Sequence, residues 1–264
     1  MHKSKHKDSK KENLILVHSF PTNSILLNGL KEYLDEFFNV FFVDLPGFTK
    51  KTDPLLDISI DKYSDYLENK INQYKFSHYI IGGISFGFIV VNNTKLDPRK
   101  CRAILAIEPY INCKYLRLGF IQRFLYTHLL DKLADNKFLI DKIWNNRFAD
   151  DVLAFLSGQT LSRMQTIIKE IDGKTFFDTA KCIIDNNKRV VFKKNIPYIL
   201  LINNNDETVS SKKIVSLFQN KLTPRNLLVV YTNVEHYPKN VSKKYFKEKI
   251  SDENLETILS YLKK

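Results

Sequence analysis

A serine with glycine two residues before it and two after, Gly83-Ile84-Ser85-Phe86-Gly87, is where this chain first suggests chemistry. The apolar run Tyr79-Ile80-Ile81 leads into it and Phe88-Ile89-Val90-Val91 leads out, so Ser85 falls between an expected buried strand and an expected helix. At such a turn the backbone is strained and the hydroxyl projects from the top of a sheet. Gly83 and Gly87 let strand and helix pass too closely for a β-carbon. A serine hydroxyl is a weak nucleophile until a base takes its proton, and a third group must orient that base.

In an open parallel sheet such groups gather at the carboxyl ends of the strands. That rule sorts the six histidines. His2 and His6 lie in a basic tail, His78 begins its strand, and His128 belongs to a helical stretch. His18 ends the first expected strand. His236, in the loop after the last one, is the expected general base. Asp206, just past the fifth strand, is the expected acid, because its loop neighbours the one bearing His236. It could instead cap the next helix or close an Asx-turn. Glu108, at the end of the fourth strand, is the alternative acid, and Glu207 and Glu235 are weaker rivals.

The elements that must position these groups alternate. Apolar runs predict strands over 13–18, 40–44, 78–84, 102–107, 197–202 and 226–231. Helical spacing marks 24–37, 60–74, 86–95, 210–221 and 253–263. Strands apolar throughout, alternating with amphipathic helices, predict an α/β fold with a mostly parallel sheet of about six strands flanked by helices. The rhythm breaks over 111–194, where helices are expected at 116–134, 138–156 and 161–171. Aromatic residues crowd this stretch: Tyr115, Phe120, Phe124, Tyr126, Phe138, Trp144, Phe148 and Phe155. It reads as a small helical subdomain with its own core and, equally, as a lid over a pocket. The expected organisation is a disordered basic tail over 1–12, a core over 13–110 and 195–264, and a helical cap over 111–194.

A chain of 264 residues can bury a sizeable core. Its +12 charge is spread over lysines in many segments, with little arginine, so no specific nucleic-acid partner is expected. A nucleic-acid binder led by the lysine-rich tail would show salt-sensitive retention on DNA. The tail lacks the apolar stretch of a signal peptide. No run is long enough to span a bilayer. Three widely spaced cysteines suggest neither a disulfide framework nor a zinc site, and a reducing cytoplasmic setting is the default.

Order and context together resemble the alpha/beta-hydrolase family. Ser85, Asp206 and His236 follow its order of nucleophile, acid and histidine. Val17-His18-Ser19-Phe20-Pro21 is similar to its His-Gly-x-Pro oxyanion loop, and Asp44-Leu45-Pro46-Gly47-Phe48 to its D-x-P-G-x-G turn. The resemblance covers roughly 14–110 and 196 to the C-terminus, and the insertion falls where the family places its cap. It implies a Ser85–His236–Asp206 triad, an oxyanion hole from the N–H groups of Phe20 and Phe86, and a structural role for His18. It implies no metal and no organic cofactor. The implied substrate is a small apolar acyl compound, cleaved as a carboxylic ester or thioester through an acyl-enzyme. Alternatives on the same scaffold are C–C bond hydrolysis, aminopeptidase action and ligand binding without turnover. Ser85 argues against the dehalogenase and epoxide-hydrolase branches, which use aspartate there. The chain departs from the family at Ser19 and Thr49, where glycine is usual, at Phe88, where a small residue is common, and at 203–205, which lacks a glycine. Ser19 bears most directly on the oxyanion geometry.

Overall fold

The computed structural model describes residues 11–134, 136–146, 161–236 and 240–263. The lysine-rich segment 1–10 lies outside the described residues. So do 147–160, with Phe148, Phe155 and the end of the helix expected over 138–156. Glu12 already belongs to the fold: its carbonyl accepts the N–H of Asn39, and its carboxylate pairs with Arg102.

Among the described residues, six strands form one parallel sheet: β1 (Asn13–Val17), β2 (Asn39–Val43), β3 (Tyr79–Ile84), β4 (Cys101–Ile107), β5 (Tyr198–Asn203) and β6 (Leu227–Thr232). Their order is β2-β1-β3-β4-β5-β6. The chain steps one way from β1 to β2 and the other way to β3. The carboxyl ends of β1 and β3 therefore flank a topological switch point, where open α/β sheets form crevices. Ser85 follows β3 at that point.

The helices are α1 (Asn28–Leu34), α2 (Ile60–Tyr74), α3 (Phe86–Asn93), α4 (Phe120–Ala134), α5 (Lys137–Trp144), α6 (Leu161–Glu170), α7 (Gly173–Asp185), α8 (Ser211–Lys221), α9 (Lys243–Ile250) and α10 (Asp252–Leu262). Side chains alternate across each strand, so the apolar strands feed two cores. Ile15, Val17, Leu200 and Ile202 meet α2, α3 and α8 on one face. Leu14, Leu16, Ile199 and Leu201 meet α1, α9 and α10 on the other. None of the helices is long and apolar enough to cross a membrane among the described residues.

Local chemistry moved several expected boundaries. The first helix starts at Asn28 rather than 24, because Asn23 Oδ1 accepts the Leu26 N–H and holds the preceding residues in turns. Leu116 forms an isolated bridge with Val209, so α4 begins only at Phe120. The insertion has no separate core among the described residues. Its Leu133, Trp144, Ile167 and Phe176 share one apolar cluster with Ile15 and Phe86 of the sheet layer. The reason lies in α7, which sequence spacing did not reveal. Its Phe176 packs on Phe20 at 5.1 Å between ring centroids, and its Thr179 hydroxyl lies 3.0 Å from Tyr63 Oη.

Candidate active site

Ser85 stands where β3 becomes α3. Its N–H still continues the sheet ladder, donating to Ile107 O at 2.9 Å. Its φ of 48° and ψ of −115° then turn the chain abruptly into the helix. A non-glycine residue with positive φ stores strain, which the surrounding packing must hold. The two glycines make that packing possible. A β-carbon on Gly83 would meet Phe88 N at 2.4 Å, and one on Gly87 would meet His18 O at 2.4 Å. The elbow is thus locked against β1 as well as against its own helix.

Ser85 Oγ lies 2.9 Å from His236 Nε2, and His236 Nδ1 lies 2.9 Å from Asp206 Oδ2. The His236 and Asp206 side chains are 4% and 0% exposed, so the three groups lie in line away from bulk water. Asp206 divides its oxygens between two tasks. Oδ1 accepts the N–H groups of Thr208 at 2.6 Å and Val209 at 2.9 Å, closing an Asx-type turn. Oδ2 is left for the imidazole. Asp206 thus both closes a turn and faces the imidazole. Burial pushes its carboxyl upward, but the hydrogen bond and charge of His236 outweigh it and hold the value at about 2. An ionised Asp206 assigns the proton to Nδ1, leaving Nε2 to accept from the serine hydroxyl.

Two residues that sequence reasoning passed over hold the His236 loop. Asn203 Nδ2 donates to Val234 O at 2.9 Å. Tyr245, on the unforeseen helix α9, accepts the Glu235 N–H at 3.0 Å. The Asn203–Asn205 run also replaces the absent glycine. Asn203 Oδ1 takes the N–H of Asn205, and Asn203 O that of Asp206.

Glu108 follows β4 as Ser85 follows β3. It too has positive φ, 43°, and its N–H donates to Leu201 O at 2.9 Å. Its Oε1 accepts the Asn203 N–H at 2.5 Å, while the buried Oε2 has no well-formed hydrogen bond among the described residues. Burial, and then the charge of Asp206, push its carboxyl well above the ordinary range. The His236 ring N–H is directed to Asp206, not to Glu108. Glu108, Asp206 and His236 bring one carboxylate oxygen or ring nitrogen each within 4.8 Å of one another. Glu207 and Glu235 are both exposed, and neither joins this line.

The loop after β1 faces the elbow. His18 is fully buried. Its Nε2 accepts the Leu45 N–H at 3.0 Å, so Nδ1 carries the proton toward Ser19 O at 2.8 Å. Burial lowers its basicity, in keeping with a neutral ring clamped between two loops. Asp44 takes both the N–H and the hydroxyl of Ser24 at 2.7 and 2.6 Å. Ser19 needs no positive φ, and its hydroxyl pairs with Thr22 Oγ1 at 2.8 Å, so a side chain there is accommodated. Thr49 likewise has no positive φ. Gly47 does, at 79°, with Thr175 Oγ1 2.1 Å from where a β-carbon would sit. Phe88 is fully buried against Phe218. Neither the Phe20 nor the Phe86 N–H is used in a turn or loop hydrogen bond among the described residues. A cavity of about 30 Å³ touches Ser85, His236, Glu108 and Ser19, with Leu30 and Phe246 on its apolar side.

No protein-family model and no curated protein matches the sequence. Solved structures match its shape along nearly the whole chain. An esterase from Thermogutta terrifontis aligns over 96% of this chain and 89% of its own, with TM-score 0.61 and 12% identity. An epoxide hydrolase from Bacillus megaterium aligns over 97% and 94%, with TM-score 0.65 and 14% identity. An esterase from Exiguobacterium antarcticum aligns over 96% and 92%, with TM-score 0.65 and 10% identity. Identity this low speaks to architecture alone, and the architecture agrees with the sheet order and the Ser85 elbow: the chain has the alpha/beta-hydrolase fold.

Proposed function

We propose that the protein is a serine hydrolase that cleaves a carboxylic ester or thioester of a small apolar acyl group. The observation that carries this reading is the unbroken line from Ser85 Oγ through His236 to Asp206, at 2.9 Å and 2.9 Å. Ser85 Oγ attacks the acyl carbonyl carbon while His236 Nε2 takes its proton. Asp206 keeps the imidazole oriented and stabilises its cationic form. The N–H groups of Phe20 and Phe86 receive the developing oxyanion, a contribution of several kcal/mol in enzymes of this kind. His236 then protonates the leaving group. Water, deprotonated by the same imidazole, attacks the acyl-enzyme and frees Ser85. The helices of 111–194 serve as the cap, and the mutually tilted, packed rings of Phe20, Phe176 and Trp144 favour an apolar acyl chain.

The serine nucleophile sets this chain apart from aspartate-dependent epoxide hydrolysis, although an epoxide hydrolase is among the similar structures. A panel of p-nitrophenyl esters of increasing chain length, with a fluorophosphonate probe, tests the reading. Wild type is expected to turn over the short esters and to be labelled, and Ser85→Ala to do neither. Unlabelled, inactive wild type, or equal labelling of Ser85→Ala, refutes it.

A further inference from the structure

Three titratable groups meet behind Ser85, and the proposed mechanism uses only two of them. Glu108 is 2% exposed. One of its carboxyl oxygens is held by the Asn203 N–H at 2.5 Å, and the other is buried with no well-formed hydrogen bond among the described residues. The groups facing it are the Asp206 carboxylate and His236, both within 4.8 Å, with Glu235 and His236 along the adjoining cavity and the Tyr245 hydroxyl nearby. No lysine or arginine among the described residues lines that cavity. Two anionic carboxylates buried this close together would repel each other. Asp206 has a hydrogen bond from His236 and two from backbone N–H groups to hold its negative charge. Glu108 has the Asn203 N–H and a weaker contribution from the Thr232 hydroxyl, and its Oε2 has no well-formed hydrogen bond among the described residues.

We propose that Glu108 is the proton-holding partner of Asp206: a neutral carboxylic acid, protonated on Oε2, that confines the single negative charge of the cluster to Asp206 and fixes the loops that carry Asp206 and His236. The hydrogen bonds trace that second task. Glu108 Oε1 takes the Asn203 N–H, and Asn203 Nδ2 holds Val234 O, two residues before His236. Asn203 O takes the Asp206 N–H. One side chain just past β4 thereby braces the loops after β5 and β6. The role suits a positioning residue rather than a catalytic one, since Glu108 touches neither the serine nor the imidazole through a hydrogen bond. The upward shift of its carboxyl by burial and by Asp206 agrees with a retained proton.

This inference rests on the serine-hydrolase reading for its kinetic consequences but not for its central claim, so the two fail separately. Wild-type protein labelled with carboxyl-¹³C glutamate is examined at neutral pH by infrared spectroscopy, without substrate. The carbonyl stretch of a protonated carboxylic acid is expected, shifted by the label and missing from Glu108→Gln. Its absence from wild type overturns the proposal. Kinetics on p-nitrophenyl acetate supply the other arm. Glu108→Gln keeps a neutral side chain with both a donor and an acceptor, so kcat is expected within about threefold of wild type with an unchanged pH profile. Glu108→Ala strands the Asn203 N–H and frees the loops, and kcat is expected to fall roughly ten- to a hundredfold with little change in KM. If Glu108→Gln falls as far as Asp206→Asn, Glu108 carries charge and the proposal is wrong. If wild type hydrolyses no ester, the hydrolase reading fails while the infrared band still decides where the proton sits.

Discussion

The turns after β3 and β4 are near twins that serve different ends. Each begins with a residue whose N–H completes the ladder to the next strand, Ser85 to Ile107 and Glu108 to Leu201. Each of those residues then takes positive φ without being glycine. The turns are even tied together, by the Tyr110 N–H donating to Ser85 O at 3.1 Å. Ser85 enters a helix at once, so its neighbours must shrink to Gly83 and Gly87. Glu108 enters an open loop, where its neighbours are free to be large. The same strain therefore aims a hydroxyl at His236 in one turn and a carboxyl toward Asp206 in the other. A strained turn at a strand end delivers a side chain to the sheet edge, and the next element, helix or loop, sets the sequence signature it leaves.

Substitutions can break this pairing unequally. Ser85→Ala is expected to lower kcat for p-nitrophenyl esters by about 10⁶-fold while leaving the fold intact by circular dichroism. Asp206→Asn comes next, at about 10⁴-fold, because the imidazole loses the group that sets its tautomer. The structural half of the comparison is tested by Gly87→Ala. Its β-carbon would fall 2.4 Å from His18 O, and denaturant titration is expected to show a loss of about 3 kcal/mol. No equivalent glycine guards Glu108.

The smallest effect separates the two turns by pH. The folded state holds the Glu108 carboxyl above its ordinary value of 4.5. Its contribution to stability is therefore complete below that value. It is lost as pH rises toward the folded-state value, because only the unfolded chain releases the proton there. The slope is at most about 1.4 kcal/mol per pH unit. Glu108→Gln abolishes this loss, so its stability relative to wild type is expected to rise with pH across that window. A flat difference between the two denaturation series would mean that Glu108 titrates normally.

Sequence periodicity locates all six strands to within a residue or two, because each is a short, apolar run bounded by turns and polar residues. The elbow was legible because its glycines obey a spacing rule. Asp206 and His236 were legible only through their places after strands. Much of the scaffolding behind them was not. Helix α7 opens with glycine and carries threonine and adjacent phenylalanines, a weak helical signal; the Asp172 cap and burial against Gly47, Phe20 and Tyr63 hold it in place. Helix α9, Lys243–Ile250, is mostly charged and is held by its Ser242 cap and by Tyr245 and Phe246 in the core. The bracing role of Asn203 depends on three partners brought together by β4, β5 and the loop after β6. No local pattern encodes such a junction.

The line from Ser85 to His236 joins residues 151 positions apart, and Asp206 enters from a third loop. During synthesis from the N-terminus, the elbow and its glycines emerge long before the strand that brings the imidazole. A nascent chain that ends before β6 carries the serine but lacks the proposed base. Reactivity would thus arrive late in synthesis, after the sheet has closed, and would report that the last strand is in place.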